Sequence, residues 1–231
     1  MKRLFLSLAA VLAATAAQSA GHPFVAAMVT PSSDSFVVVT RVTTGGWKTV
    51  GGVVQTVARD SNTIRIAVDY AFVSSRQRVE MAADAKTLAP LAHWEQLSRR
   101  GQGDTHGEVM FRDGRAKGAF ILSKGVIDIP LDSGIIDDDA STALLPSLPL
   151  DSARSFYFRT FASPGQMEVT RIEVQGIDTV AVPAGRFRAH RLLVMARDTS
   201  HVYVSTTSPR RVVLVRLADG SQEMRLINAR R

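Results

Sequence analysis

Apolar and polar positions alternate in short runs along this chain, and turn residues break the runs every few positions. That period of two predicts strands rather than helices. The clearest run is 64–70, where Ile64, Ile66, Val68 and Tyr70 share one face and Arg65 and Asp69 the other. Runs over 35–42, 53–58, 77–82, 91–97, 108–111, 118–122, 126–131, 156–161 and 167–174 predict further strands. Asp113-Gly114, between two of them, reads as a hairpin turn.

The stretch 177–227 is the part whose register can be written down, as two consecutive hairpins. In the first, Pro183 pre-sets φ at a corner and Gly185 supplies a left-handed residue, which predicts a three-residue loop with a bulge. In the second, 212–217 meets 222–227 across Asp219-Gly220, read as a type I′ turn. Leu217 then faces Gln222, Arg216 faces Glu223, Val215 faces Met224 and Val213 faces Leu226. A slip of one residue would put the apolar side chains on the wrong face.

One short helix interrupts the strands. Asp137, Asp138 and Asp139 precede an Ala/Leu run that ends at Pro146 and Pro149, the acid-first and proline-last signals of a helix. No linker or internal repeat separates the strands. The predicted fold is all-β: a single strongly curved antiparallel sheet, or an open or closed β-barrel, with one short helix. Glycine and bulge signals within the strands favour curvature.

The N-terminus changes where this domain is placed. Lys2 and Arg3 precede an apolar run over 4–17, too short to cross a bilayer, and Ala17 and Ser19 flank Gln18 as small cleavage-site residues. Residues 1–20 therefore read as a signal peptide and 21–231 as one exported domain, with no later transmembrane segment. There is no cysteine, so no disulfide, thiol catalysis or lipid-bearing cysteine is available. The expectation is a periplasmic protein that is not a lipoprotein.

Charge points away from nucleic acid. The net charge is +7, and losing Lys2 and Arg3 would leave +5. The basic pairs Arg99-Arg100, Arg210-Arg211 and Arg230-Arg231 are dispersed rather than clustered with aromatics. Solvated strand edges and loops account for them.

Candidate chemistry is sparse. Asp132-Ser133-Gly134 is similar to an aspartic-protease loop, but such a site needs a second aspartate, and no second copy of the tripeptide exists. None of His22, His93, His106, His190 and His201 stands at metal-site spacing from another ligand, and His190 is placed on the surface or an edge. Aspartates 128, 132, 137, 138 and 139 lack the calcium-loop pattern, and a helix start explains the last three. No catalytic residue, metal or cofactor is expected.

The order from Thr87-Leu88 through Val182-Pro183-Ala184-Gly185-Arg186-Phe187, His190-Arg191-Leu192, Ser208-Pro209-Arg210-Arg211-Val212-Val213 and Arg216 resembles an exported bacterial family catalogued as domain of unknown function 3108. The resemblance implies a curved antiparallel β-protein of the cell envelope, similar to half-barrels that carry lipids or lipoproteins, and brings no activity with it.

The remaining signal is apolar surface. Phe111, Phe120, Phe187, Val213, Val215, Leu217, Met224 and Leu226 would line either a packed core or an apolar cavity. The leading expectation is a non-enzymatic binding or carrier protein for a lipid or other apolar small molecule. An envelope protein that docks a partner or a membrane surface is the alternative, and an unrecognised hydrolase the third.

Overall fold

The computed structural model describes residues 21–230; the signal-peptide reading of 1–20 lies outside them. The chain opens with β1 (Ser32–Val42), β2 (Gly46–Arg59), β3 (Thr63–Phe72), β4 (Ser75–Asp84) and β5 (Pro90–Arg99). It continues with β6 (Thr105–Arg112), β7 (Arg115–Ala119), β8 (Ile127–Pro130) and the two-residue β9 (Ile136–Asp137). After α1 (Asp138–Leu144) come β10 (Ser155–Ala162), β11 (Gln166–Val182) and β12 (Gly185–Met195). Last are β13 (Thr199–Ser205), β14 (Val212–Leu217) and β15 (Gln222–Arg230).

All fifteen strands belong to one sheet, ordered β8-β7-β6-β5-β4-β3-β2-β1-β15-β14-β13-β12-β11-β10-β9. Hairpins walk outward from β1 to β8. The chain then jumps to the far edge and walks back from β9 to β15, which pairs antiparallel with β1. The sheet stays open, with β8 and β9 as its edges. Every pairing is antiparallel except β9 with β10, which is parallel, so the expected antiparallel sheet carries one parallel pair at its edge.

Side-chain alternation decides which face is inward. On β3, Ile64, Ile66 and Val68 are buried while Arg65 is exposed. Their neighbours continue the stripe, with Val57 beside Ile66 on β2 and Met81 and Val79 beside Ile66 and Val68 on β4. Register shifts at Ser35/Phe36, Val38/Val39, Ala82/Ala83, Val174/Gly176 and Tyr203/Val204 bend the sheet. The curled inner face wraps α1, which lies against β4 and β10. Phe36, Ile66, Leu144, Leu148, Ile172, Leu192 and Leu226 fill the main core, each contributing about 1.5–3 kcal/mol by leaving water. A second cluster of Val109, Phe111, Ala116, Phe120, Ile135 and Phe161 joins β6 and β7 to β10. The two halves of the sheet are therefore packed on each other without being hydrogen-bonded into a closed barrel.

The last hairpin has the expected register, with Val215 opposite Met224 and Arg216 opposite Glu223. Glu223 is buried and accepts from Arg216 Nε at 2.5 Å and from Arg225 Nε at 2.6 Å. The turn itself differs from the type I′ expectation. Gly220 takes φ +69 but Asp219 does not go left-handed, so the loop is four residues closed by Gly220 N–H to Leu217 O at 2.9 Å. The type I′ pair is Asp113-Gly114 instead, at φ +53 and +67 between paired Arg112 and Arg115. An added Cβ on Gly220 would meet nothing. Gly220→Ala should therefore cost only the left-handed backbone penalty, about 1–2 kcal/mol, read as a lower urea midpoint with unchanged slope. No loss would mean that the turn relaxes.

Three other expectations are corrected. The first hairpin is a two-residue Pro183-Ala184 loop, because Val182 pairs directly with Gly185, and Ala184 N–H reaches across to Leu226 O at 3.0 Å. The two hairpins of 177–227 are not consecutive, since β13 lies between them. Strand 118–122 ends at Ala119, where the chain leaves the sheet and turns inward.

Candidate functional site

The inner face of the sheet is mostly apolar, and β5 places a histidine and a carboxylate on it. There His93 lies between Met81 of β4 and Val109 of β6, and Glu95 lies between Val79 and Gly107. Alternation puts both polar side chains inward, at 1% and 4% exposure. Buried polar groups need partners, and each finds one from outside its own strand pair. Glu95 Oε1 accepts Ile121 N–H at 2.5 Å, the inward turn after β7. Gly107 makes that turn possible, because a Cβ there would stand 2.8 Å from Ile121 N and 2.9 Å from Glu95 Oε1.

His93 meets the start of α1. Asp137 caps that helix, its Oδ1 accepting Asp139 N–H at 3.1 Å. Its Oδ2 is 2.9 Å from His93 Nδ1, so one buried carboxylate starts the helix and anchors it to β5. The Phe120 ring stands at 70° to the imidazole with centroids 5.0 Å apart. His93 Nε2 has no partner among the described residues.

Beside this pair, Asp138 and Asp139 line a cavity of about 360 Å³ between α1 and the sheet. Val53, Val68 and Tyr70 from β2 and β3 line it together with Val194 and Met224. Gln55 supplies an amide. Glu168, also in the lining, pairs with Arg197 at 2.6 Å. The cavity thus has a mixed lining, with Val53, Val68, Val194 and Met224 as its apolar part and Arg197, Asp198 and Ser200 adding to the carboxyl groups of the helix.

The electrostatics follow from burial and crowding. Asp139 is pushed up to about 7 by burial, then by the charges of Asp137, Asp138 and Glu95, with His93 opposing. Burial raises Asp138 as well, aided by Glu168 and Asp137. Burial works to lower His93, but the hydrogen bond and charge of Asp137, with Asp139 and Glu95, outweigh it and hold the ring above its ordinary value. Tyr70 is held far above the usual phenol range by burial and by the two helix carboxylates.

The apolar residues singled out in the sequence do not converge on this cavity. Val213 and Leu226 are sealed in the main core, and Val215 and Phe187 pack against it. Phe111 and Phe120 belong to the second cluster, where Phe111 meets Phe161 edge-on at 5.6 Å. Leu217 is half-buried at the end of β14. Met224 is the member of the set that reaches the cavity.

Asp132 pairs with Arg159 at the surface, and Asp128 with Arg115 at 2.5 Å, so the five aspartates do not gather around one ion. His190 is buried at 3% exposure rather than on the surface. β12 lies between β11 and β13, and its inward side chains are covered. Spacing along the chain gave no ligand set, yet the fold brings His93, Asp137 and Asp139 together, each with one donor atom within 4.8 Å of the others. Sequence spacing missed them because 44 residues separate His93 from Asp137. The available signal was two polar residues at inward positions of a strand.

Among the described residues, no helix is long and apolar enough to cross a membrane. No curated protein matches the chain. A solved structure with a similar fold is a β-barrel-like protein of domain of unknown function DUF1849 from Brucella abortus, at TM-score 0.55 and 10% identity. The match covers 87% of this chain and 97% of that one, and at that identity the likeness is one of fold. The family model for proteins of unknown function DUF3108 matches residues 29–227, and the chain belongs to that family.

Proposed function

We propose that this chain is a non-enzymatic binding protein of the bacterial periplasm, exported by its N-terminal signal, that holds a small amphipathic ligand in the cavity beside α1. The observation that carries this reading is the composition of the cavity. Val53, Val68, Val194 and Met224 offer an apolar wall, and Asp138 and Asp139 offer acceptors a short distance away. Ligand sites combine apolar walls with a few convergent polar groups in this way. At about 360 Å³ the cavity lies at the small end of such sites, which span roughly 300–1,000 Å³. The apolar ligand expected from sequence therefore narrows to one with a short apolar body and a basic or hydrogen-bond-donating end.

A specific arrangement favours binding over hydrolysis by a nucleophilic triad. In such a triad the imidazole's second nitrogen receives the nucleophile's proton. Here Asp137 orients His93, but no hydroxyl reaches Nε2 among the described residues.

Native mass spectrometry of protein purified gently from the periplasmic fraction tests the proposal. The expected result is a chain beginning near residue 20 or 21, carrying one small molecule that organic extraction removes. Met224→Trp, which fills the cavity, should abolish retention. A bare polypeptide, or a ligand that Met224→Trp still retains, would overturn the assignment.

A further inference from the structure

We propose that His93, Asp137 and Asp139 form a site for one first-row divalent cation, best matched by Zn²⁺, with its remaining coordination open to the cavity. The three side chains come from β5, β9 and α1, and their donor atoms lie within 4.8 Å of one another. One imidazole nitrogen with two carboxylate oxygens is a zinc donor set, and three protein ligands leave a fourth position for water or a solute. Calcium and magnesium, which take oxygen ligands, fit a set containing a ring nitrogen less well.

Two observations beyond the grouping point to a cation. The first is the state of His93. Its ring is sealed at 1% exposure, turns Nδ1 toward Asp137 at 2.9 Å and leaves Nε2 with no partner. Nδ1, rather than Nε2 across the ring, is the nitrogen that would take the ion, because it and a carboxylate oxygen already stand close to the separation that two ligands of one ion have. A cation taking the place of the proton between Nδ1 and Oδ2 needs the two atoms only about 3.3 Å apart, given Zn–N and Zn–O bonds of about 2.0–2.1 Å.

The second is an imbalance of charge. Glu95, Asp137 and Asp139 bear on a single histidine, and Asp138 bears on Asp139. Among the described residues, no lysine or arginine lies within ion-pair distance of the three aspartates, and His93 is the one ion-pair partner that Asp137 has. Asp137 is also fixed by the helix cap and Glu95 by Ile121 N–H, so the carboxylates are pre-positioned rather than free to swing to solvent. Glu95 would stay outside the first coordination sphere, as the outer carboxylates of metal sites do. Asp139 lines the cavity, which gives the ion a route in.

The inference does not depend on which solute fills the cavity, because its test uses Zn²⁺ alone. Protein stripped with a chelator and dialysed is titrated with Zn²⁺ by calorimetry, with melting temperature followed in parallel. One Zn²⁺ should bind per chain and raise the melting temperature. Asp139→Asn should weaken binding by at least tenfold and remove the thermal shift, while His106→Ala, on the exposed side of β6, should leave both unchanged. Co²⁺ loaded into the unmodified chain gives a readout that needs no variant: the intense visible bands of a four- or five-coordinate nitrogen/oxygen site. Absence of stoichiometric Zn²⁺, wild-type affinity in Asp139→Asn, or the weak spectrum of hydrated Co²⁺ would each overturn the assignment.

Discussion

Asp137→Ala should lower unfolding stability by about 3–5 kcal/mol, the scale for removing one partner of a buried pair. Two contacts are lost together. Oδ1 no longer caps the helix at Asp139 N–H, a loss of about 1 kcal/mol in comparable caps. Oδ2 no longer receives His93 Nδ1, and the imidazole is left in the core with both nitrogens unpartnered. Equilibrium urea unfolding measures the sum. Asp137→Asn keeps a good capping side chain and should lose less, so the gap between the two variants separates the cap and hydrogen bond from the charge. A loss below about 1 kcal/mol for the alanine variant would mean that the core relaxes around His93 and that the pair does not anchor α1 to β5.

The second large effect concerns pH. Metal-free protein should lose stability as pH rises from about 4 to about 7. A carboxyl whose folded value is raised binds its proton more tightly folded than unfolded, so its protonated form stabilises the fold and that advantage disappears through the folded value. Asp139, pushed up to about 7 from 3.8, behaves this way across the window, and Asp138 moves in the same direction. His93 is also raised, so its contribution is present below 6.5 and is lost as pH climbs through its folded value. His190 opposes them: burial lowers it, and just below 6.5 it favours the unfolded chain as pH falls. The groups facing Asp139 are Asp137, Asp138, Glu95 and His93, and they set the size of the effect, on the order of a few kcal/mol at about 1.4 kcal/mol per pH unit. The measurement is chemical denaturation across pH in the presence of chelator, comparing wild type with Asp139→Asn. Subtracting the variant's curve removes contributions from distant groups, and a flat difference would show that Asp139 titrates normally.

Most of the architecture was legible in the chain because strand pairing leaves a period-two record. Ile64, Ile66 and Val68 announce their buried face in any sequence window, and Asp219-Gly220 sets a register that Arg216 and Glu223 confirm by opposite charge. β13 was less visible because Thr199, Ser200 and His201 open it with polar residues, and its Val202, Tyr203 and Val204 are all buried, which erases alternation. The turn types at Gly185 and Gly220 went astray for a related reason. A glycine signals freedom of φ, while the pairing of the flanking strands decides how many residues the loop contains.

By itself, the sequence determined an all-β chain, its curvature, the register of its last hairpin and a short helix beginning at three aspartates, because each of those depends on neighbours within a few residues. It could not determine what those aspartates face. His93 and Asp137 meet because the sheet curls until β9 comes over β5, a consequence of bulges and packing spread over the whole fold. The same curling sent Val213 and Leu226 into a filled core and left the cavity beside α1 instead. Long-range closure, which no local window records, decided where the carboxyl groups, the imidazole and the empty space came together.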